Sequence, residues 1–234
     1  MRRIFLLSIY FISIPLLAKD YVSAENKVHL IELYSSEGCS SCPPAERQIA
    51  SLLKHDALWK NFVPLNFHVD YWNRLGWVDP YSQKVFSQRQ YEYSRTWGIR
   101  KVYTPAFVIN AKNSGPSLNL PSKSKEKAKL QILVSHKFNE FSVKIKGHEK
   151  KRKYKVHFAY MANGLISHVN SGENKGRTLE QNFAVLDLKT KNASSEVAVF
   201  QINAAKVKAK SFSFAVWVTY EDDTEILQSI GAKL

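Results

Sequence analysis

Cys39 and Cys42 are the residues best placed, by type and spacing, to do chemistry. Two residues separate them, so their sulfurs can close a disulfide or open to a dithiol. Pro43 and Pro44 follow. Proline is tolerated in the first turn of a helix, where its missing N–H has no partner to lose. Ala45, Ile49, Leu52 and Leu53 then recur at helical spacing. The pair therefore sits at a helix start, where free N–H groups and the helix dipole favour negative charge. Such a position lowers a thiol pKa from about 8.5, in extreme cases to about 3.5. Cys39 precedes the first turn, faces the free N–H groups and is open to a partner, so it is the expected nucleophile. Cys42 is the expected resolving thiol. The plainer alternative is a pair that only clips the turn together.

Other residues invite a chemical reading. His68 and Asp70 flank Val69 in an apolar run, so both point to one face of a strand. Cys39, Cys42 and His68 together make a soft-metal set, since thiolate and imidazole suit copper(I) or zinc. A hydrogen-bonded His–Asp pair near the core is the simpler expectation. Tyr71, Trp72, Trp77 and Tyr81 either line a groove for an extended polypeptide or pack a capping loop. Glu173, Asn174, Lys175 and Arg177 lie in a glycine-rich stretch that reads as a solvated turn. No Ser-His-Asp order, phosphate loop or paired-carboxylate site stands out.

These residues need elements to position them. Val28 to Tyr34 reads as a buried strand, broken by Gly38 before the cysteine helix. Phe62 to Asp70 reads as a second strand, parallel to the first through the helical crossover. YWNRLGWVDPYS is an irregular cap, and Gln83 to Trp97 a helix that Gly98 stops. Thr104-Pro105 opens a strand at Ala106–Ile109, and Ser122 to Lys137 is expected as a helix with a lysine-rich face. From about residue 140 the apolar positions alternate between turn signals, which predicts a β-sandwich-like module of about six to eight strands.

The ends and the charge add context. Arg2-Arg3, the apolar run Ile4–Ala18 and the small residues Val22-Ser23-Ala24 predict a signal peptide over 1–24. Domains are then expected at 25–138 and 139–234. No later segment is apolar and long enough to span a membrane. Export implies an oxidising compartment, periplasmic or external, where a lone cysteine pair is informative. The net charge of +14 is spread over scattered lysines. It suits weak contact with anionic surfaces, and no nucleic-acid motif accompanies it.

Together the motifs resemble a known family. A strand, a CxxC at a helix start, a second strand, a helix and a Thr-Pro opening a further strand follow the order of the thioredoxin superfamily. ELYSSEGCSSCPPAE, FHVDYWNRLGWVDP, SQRQYEY and VYTPAFVIN resemble an exported, thioredoxin-like bacterial family catalogued only as a domain of unknown function. The likeness covers about residues 28–112 and extends faintly to SGENKGRTLEQNFAV. It implies an α/β thioredoxin-like domain followed by a mostly antiparallel β-sandwich-like module. It also implies that Pro105 is a cis-proline and that Thr104 faces the cysteines. Two positions depart from the family pattern: Glu37 replaces a neutral residue, and Ala111 replaces a glycine. A carboxylate beside a thiol raises its pKa, so Glu37 implies a less oxidising pair.

The function expected is an exported thiol–disulfide oxidoreductase that needs no cofactor. Cys39 and Cys42 would act on protein disulfides or thiols, with Thr104, Pro105, Tyr71 and Trp72 binding the substrate. A redox partner would complete the cycle. The alternatives are a copper or zinc binding or delivery protein using Cys39, Cys42 and His68, and a non-catalytic binding module.

Overall fold

The computed structural model describes residues 18–147, 149, 151–193, 197–202 and 207–234. The charged start and most of the apolar run of the expected signal peptide lie outside the described residues. Among those described, strands dominate, with two α-helices, α1 (Cys42–Ser51) and α2 (Lys84–Thr96).

The first strands are β1 (Lys19–Val22), β2 (His29–Ser35), β3 (Phe62–His68), β4 (Ala106–Ile109) and β5 (Lys112–Gly115). Then come β6 (Gln131–Lys137), β7 (Glu140–Lys146), β8 (Tyr154–Asn163), β9 (Leu165–His168) and β10 (Thr178–Gln181). The last are β11 (Ala184–Asn192), β12 (Val197–Gln201), β13 (Ser211–Tyr220) and β14 (Gln228–Lys233). One mixed eight-stranded sheet runs β14-β13-β8-β11-β3-β2-β4-β5, and a four-stranded sheet runs β1-β6-β7-β12. β9 and β10 form a separate hairpin pair.

This corrects the expected fold class. The chain does not build an α/β thioredoxin-like domain followed by a mostly antiparallel β-sandwich-like module. β2 and β3 pair in parallel as the crossover predicts. On its other side β3 pairs with β11, so strands from both halves share one sheet. The physical reason lies in β3 itself, every residue of which is buried. A strand that deep cannot leave an edge of unpaired N–H and C=O groups. The chain after Asn182 supplies the partner: Phe183 O accepts the Asn66 N–H at 2.8 Å.

The helix expected over 122–137 is also absent. Leu130, Ile132 and Val134 are buried at every second position, which is strand periodicity. Gln131–Lys137 is β6, paired along its length with β7. Ile132, Val134, Phe141 and Val143 pack in one core cluster with Val156, Phe158, Phe214 and Val216 of the larger sheet. A second cluster gathers Leu33, Phe67, Phe86, Phe107 and Trp217 around α1 and α2. Each fully buried large apolar side chain contributes roughly 1.5–3 kcal/mol relative to exposure.

Candidate functional site

β2 carries the chain into the site. Ser35, Ser36 and Glu37 are buried, and Gly38 meets the cap: an added Cβ would lie 3.1 Å from Trp72 Cβ. Cys39 and Cys42 form a disulfide across the turn into α1, with Cα atoms 5.4 Å apart. The Cys39 N–H donates to Ser36 O and the Cys42 N–H to Cys39 O. Pro43 and Pro44 occupy the first helical turn as expected. Cys39 does not lie open to a partner as expected. Both cysteines are fully buried, while Ser40 and Ser41 between them are exposed.

The Thr104–Pro105 bond is cis, and Thr104 O lies 3.8 Å from Cys39 Sγ. Tyr71 and Trp72 hold this loop. Trp72 Nε1 donates to Thr104 Oγ1 at 2.7 Å. Tyr71 OH donates to Gln90 Oε1 at 3.1 Å, and Gln90 Nε2 donates to Tyr103 O at 2.8 Å. The aromatic cap and α2 thus fix the proline loop against the disulfide. Beside it opens a cleft of about 420 Å³, lined by Pro44, Gln48, Tyr103, Thr104, Pro105 and Ser117 among others.

His68 has a different acid partner from the one its spacing suggests. Its Nδ1 pairs with Asp79 Oδ2 at 2.7 Å, and its Nε2 meets Asn66 Nδ2 at 3.2 Å. Asp70 instead accepts from Ser87 Oγ. Asp79 comes from the irregular cap, whose tertiary placement no strand periodicity reports. With both ring nitrogens of His68 engaged, the sulfur–imidazole set is not assembled. Among the described residues no cluster of three or more His, Cys, Asp or Glu side chains could hold a metal ion.

A buried polar layer joins these groups. Burial pulls His68 down, but Asp79, Glu46 and Glu37 together push it up to about 9. Burial pushes Glu46 up to about 7, against the pull of His68. Burial and the Asp79 charge raise Glu37 above the usual carboxylate range. Glu37, the residue singled out for its position beside Cys39, has its carboxylate engaged elsewhere. It accepts from Trp77 Nε1 at 3.0 Å and faces Gln181 Nε2 at 3.4 Å.

The stretch read as a solvated turn belongs to the site. Asn174 is fully buried, and its Nδ2 donates to Glu37 O at 2.7 Å and Cys39 O at 3.0 Å. Glu173 Oε2 accepts the Ser40 N–H at 2.9 Å. Gly172 has a φ of +73° and lies close under Trp77, a backbone that favours glycine. The polar composition of SGENKGR gave no sign of burial, because its partner is a backbone turn about 135 residues earlier in the chain.

Fold and site define a mixed-sheet protein with a CxxC disulfide at a helix start, beside a cis-proline loop. The chain belongs to the family described as "Protein of unknown function (DUF1223)", which matches residues 30–219. It is similar in fold to the X-ray structure of an Agrobacterium tumefaciens protein, with 23% identity and a TM-score of 0.61 over 89% of this chain and 95% of that one. It is also similar to HBP35 of Porphyromonas gingivalis, with 13% identity and a TM-score of 0.61 over 91% of this chain and 76% of that one. No curated protein matches the sequence.

Proposed function

We propose that this protein is an exported thiol–disulfide oxidoreductase acting on protein disulfides through Cys39 and Cys42. One observation carries the reading: the disulfide sits at a helix start with Thr104 O 3.8 Å from Cys39 Sγ, beside an open cleft. At this site the CxxC turn and the cis-proline loop resemble those of the thioredoxin superfamily. In the proposed cycle the Cys39 thiolate attacks a substrate disulfide and expels one substrate thiolate. Cys42 then attacks Cys39 Sγ, closing the protein disulfide and releasing the second substrate thiolate. The substrate gains two electrons and two protons, the protein dithiol is oxidised to the disulfide, and an external dithiol redox partner reduces it again to close the cycle. The exposed Ser40–Ser41 corner is the part of the turn that meets solvent.

Trapping tests the reading. The Cys42→Ser variant, mixed with a disulfide-bonded substrate protein, is expected to accumulate a mixed disulfide through Cys39. The Cys39→Ser variant should trap little. Mapping the adducts by peptide mass spectrometry checks this. No adduct from either variant overturns the reading, and trapping mainly through Cys42 reverses the roles.

A further inference from the structure

We propose that Glu173, from the loop after β9, sets the redox bias of the Cys39–Cys42 pair and holds it toward the disulfide. The inference rests on the proposed cycling of that pair. Glu173 Oε2 accepts the Ser40 N–H at 2.9 Å, and that amide belongs to the peptide unit joining Cys39 to Ser40. The contact is built into the fold. Asn174, next in the chain, is buried and bonds the carbonyls of Glu37 and Cys39. Arg177 Nη1 in turn donates to Asn174 Oδ1 at 2.9 Å. The Ser40 backbone and side chain hold Glu173 below the usual carboxylate range, so it is charged at neutral pH.

The effect follows from comparing the two states of the pair. The disulfide is neutral, whereas the dithiol carries thiolate at Cys39 to the extent that the helix start stabilises it. A carboxylate one peptide unit away disfavours that thiolate and leaves the disulfide untouched. This effect favours the disulfide. The other charged groups near the turn are Glu37, Glu46, His68 and Asp79 in the buried layer, and Lys175 and Arg177 on the same loop. Asp79 Oδ2 accepts the Glu37 N–H at 2.8 Å, two residues before the pair, whereas Glu173 bonds an amide between the two cysteines.

Equilibration of the full chain with glutathione tests this. Two glutathione thiols reduce the pair: the Cys39–Cys42 bond breaks, a glutathione disulfide forms, and the two thiol hydrogens pass to the cysteines. The reduced fraction is read by alkylation and mass spectrometry, and the thiolate by its ultraviolet absorbance against pH. Glu173→Gln keeps an acceptor oxygen and removes the charge. It is expected to raise the equilibrium constant for reduction about three- to tenfold, where tenfold corresponds to about 30 mV. Its thiolate should form at lower pH. Glu180→Gln removes an exposed carboxylate paired with Lys210, and should match the wild type. A Glu173→Gln curve that coincides with wild type, or moves the other way, overturns the proposal. Should that variant not fold, the wild-type chain at low and at molar salt replaces it. Screening of an exposed charge should then shift reduction in the same direction, and no shift overturns the proposal. The two readings fail separately. A shifted constant with no trapping of substrate proteins sinks the oxidoreductase reading alone. Trapping with an unshifted constant sinks the role of Glu173 alone.

Discussion

Glu46 is a carboxyl group buried with little compensation. Its Oε1 has no hydrogen-bond partner, and Gln181 Nε2 approaches Oε2 only to 3.4 Å. Burial moves it from 4.5 to about 7 in the folded chain. A raised carboxyl pKa means that the folded state holds the proton longer than the unfolded state. That stability is fully present below about pH 4.5 and is lost as pH rises through about 7, by roughly 3 kcal/mol in all. Glu46→Gln removes the titration. Relative to wild type it should gain about 2–3 kcal/mol between about pH 4 and pH 8. Urea unfolding at both pH values checks this, and equal differences at the two would refute it. His68 adds to the alkaline loss. Its folded value is raised from 6.5 to about 9, so its contribution is full below 6.5 and fades as pH rises through 9.

At the scale of the element, the β4–β5 hairpin holds a non-glycine residue in the left-handed region. Its two central residues, Asn110 and Ala111, have φ of +49° and +64°. Two-residue hairpins with positive φ at both positions favour Asn-Gly, because glycine carries no Cβ penalty there. Asn110 suits the first position and anchors the turn, its Oδ1 accepting the Leu30 N–H at 2.9 Å. Ala111 is held in the left-handed region while its carbonyl accepts from Trp97 Nε1. The left-handed penalty is about 1–2 kcal/mol, and glycine returns about 0.4–1 kcal/mol of it through unfolded-state entropy. Ala111→Gly should therefore stabilise the chain by roughly 0.5–1 kcal/mol. Thermal or urea unfolding measures it, and a destabilised variant would show that the turn is unstrained.

The whole molecule bears on where a leader could be removed. β1 pairs with β6 from Lys19↔His136 to Val22↔Leu133. Tyr21 packs edge-on against Phe214 at 4.9 Å, and the Ser23 N–H donates to Ile132 O at 2.9 Å. Cleavage after Ala24 would remove this strand and leave β6 as an open edge. We therefore expect the mature chain to begin at Lys19, after Ala18. Mass spectrometry of protein from its host decides between Lys19 and Glu25. A chain starting at Glu25 should also be less stable than one starting at Lys19, by about 2–4 kcal/mol from the lost ladder and packing. Equal stability would show that β1 contributes nothing.

The sequence by itself determined what is local. The strand, CxxC and helix of Val28–Ser51, the parallel crossover to β3 and the extent of α2 follow from periodicity, proline placement and glycine stops. The cis Thr104–Pro105 bond came through likeness of the VYTPAFVIN segment, since its local sequence favours trans. Alternation over β6 is masked because Leu133 beside Ile132 and Val134 imitates a helical face. Tertiary structure decided the rest, because each remaining feature depends on groups far apart in the chain. The buried edge of β3 required β11, and this joined two expected domains in one sheet. Asp79 displaced Asp70 as the partner of His68 because the cap folds back over β3. Glu173 and Asn174 reached the cysteine turn across more than 130 residues, and a polar, glycine-rich heptapeptide carries no pattern that names its distant partner.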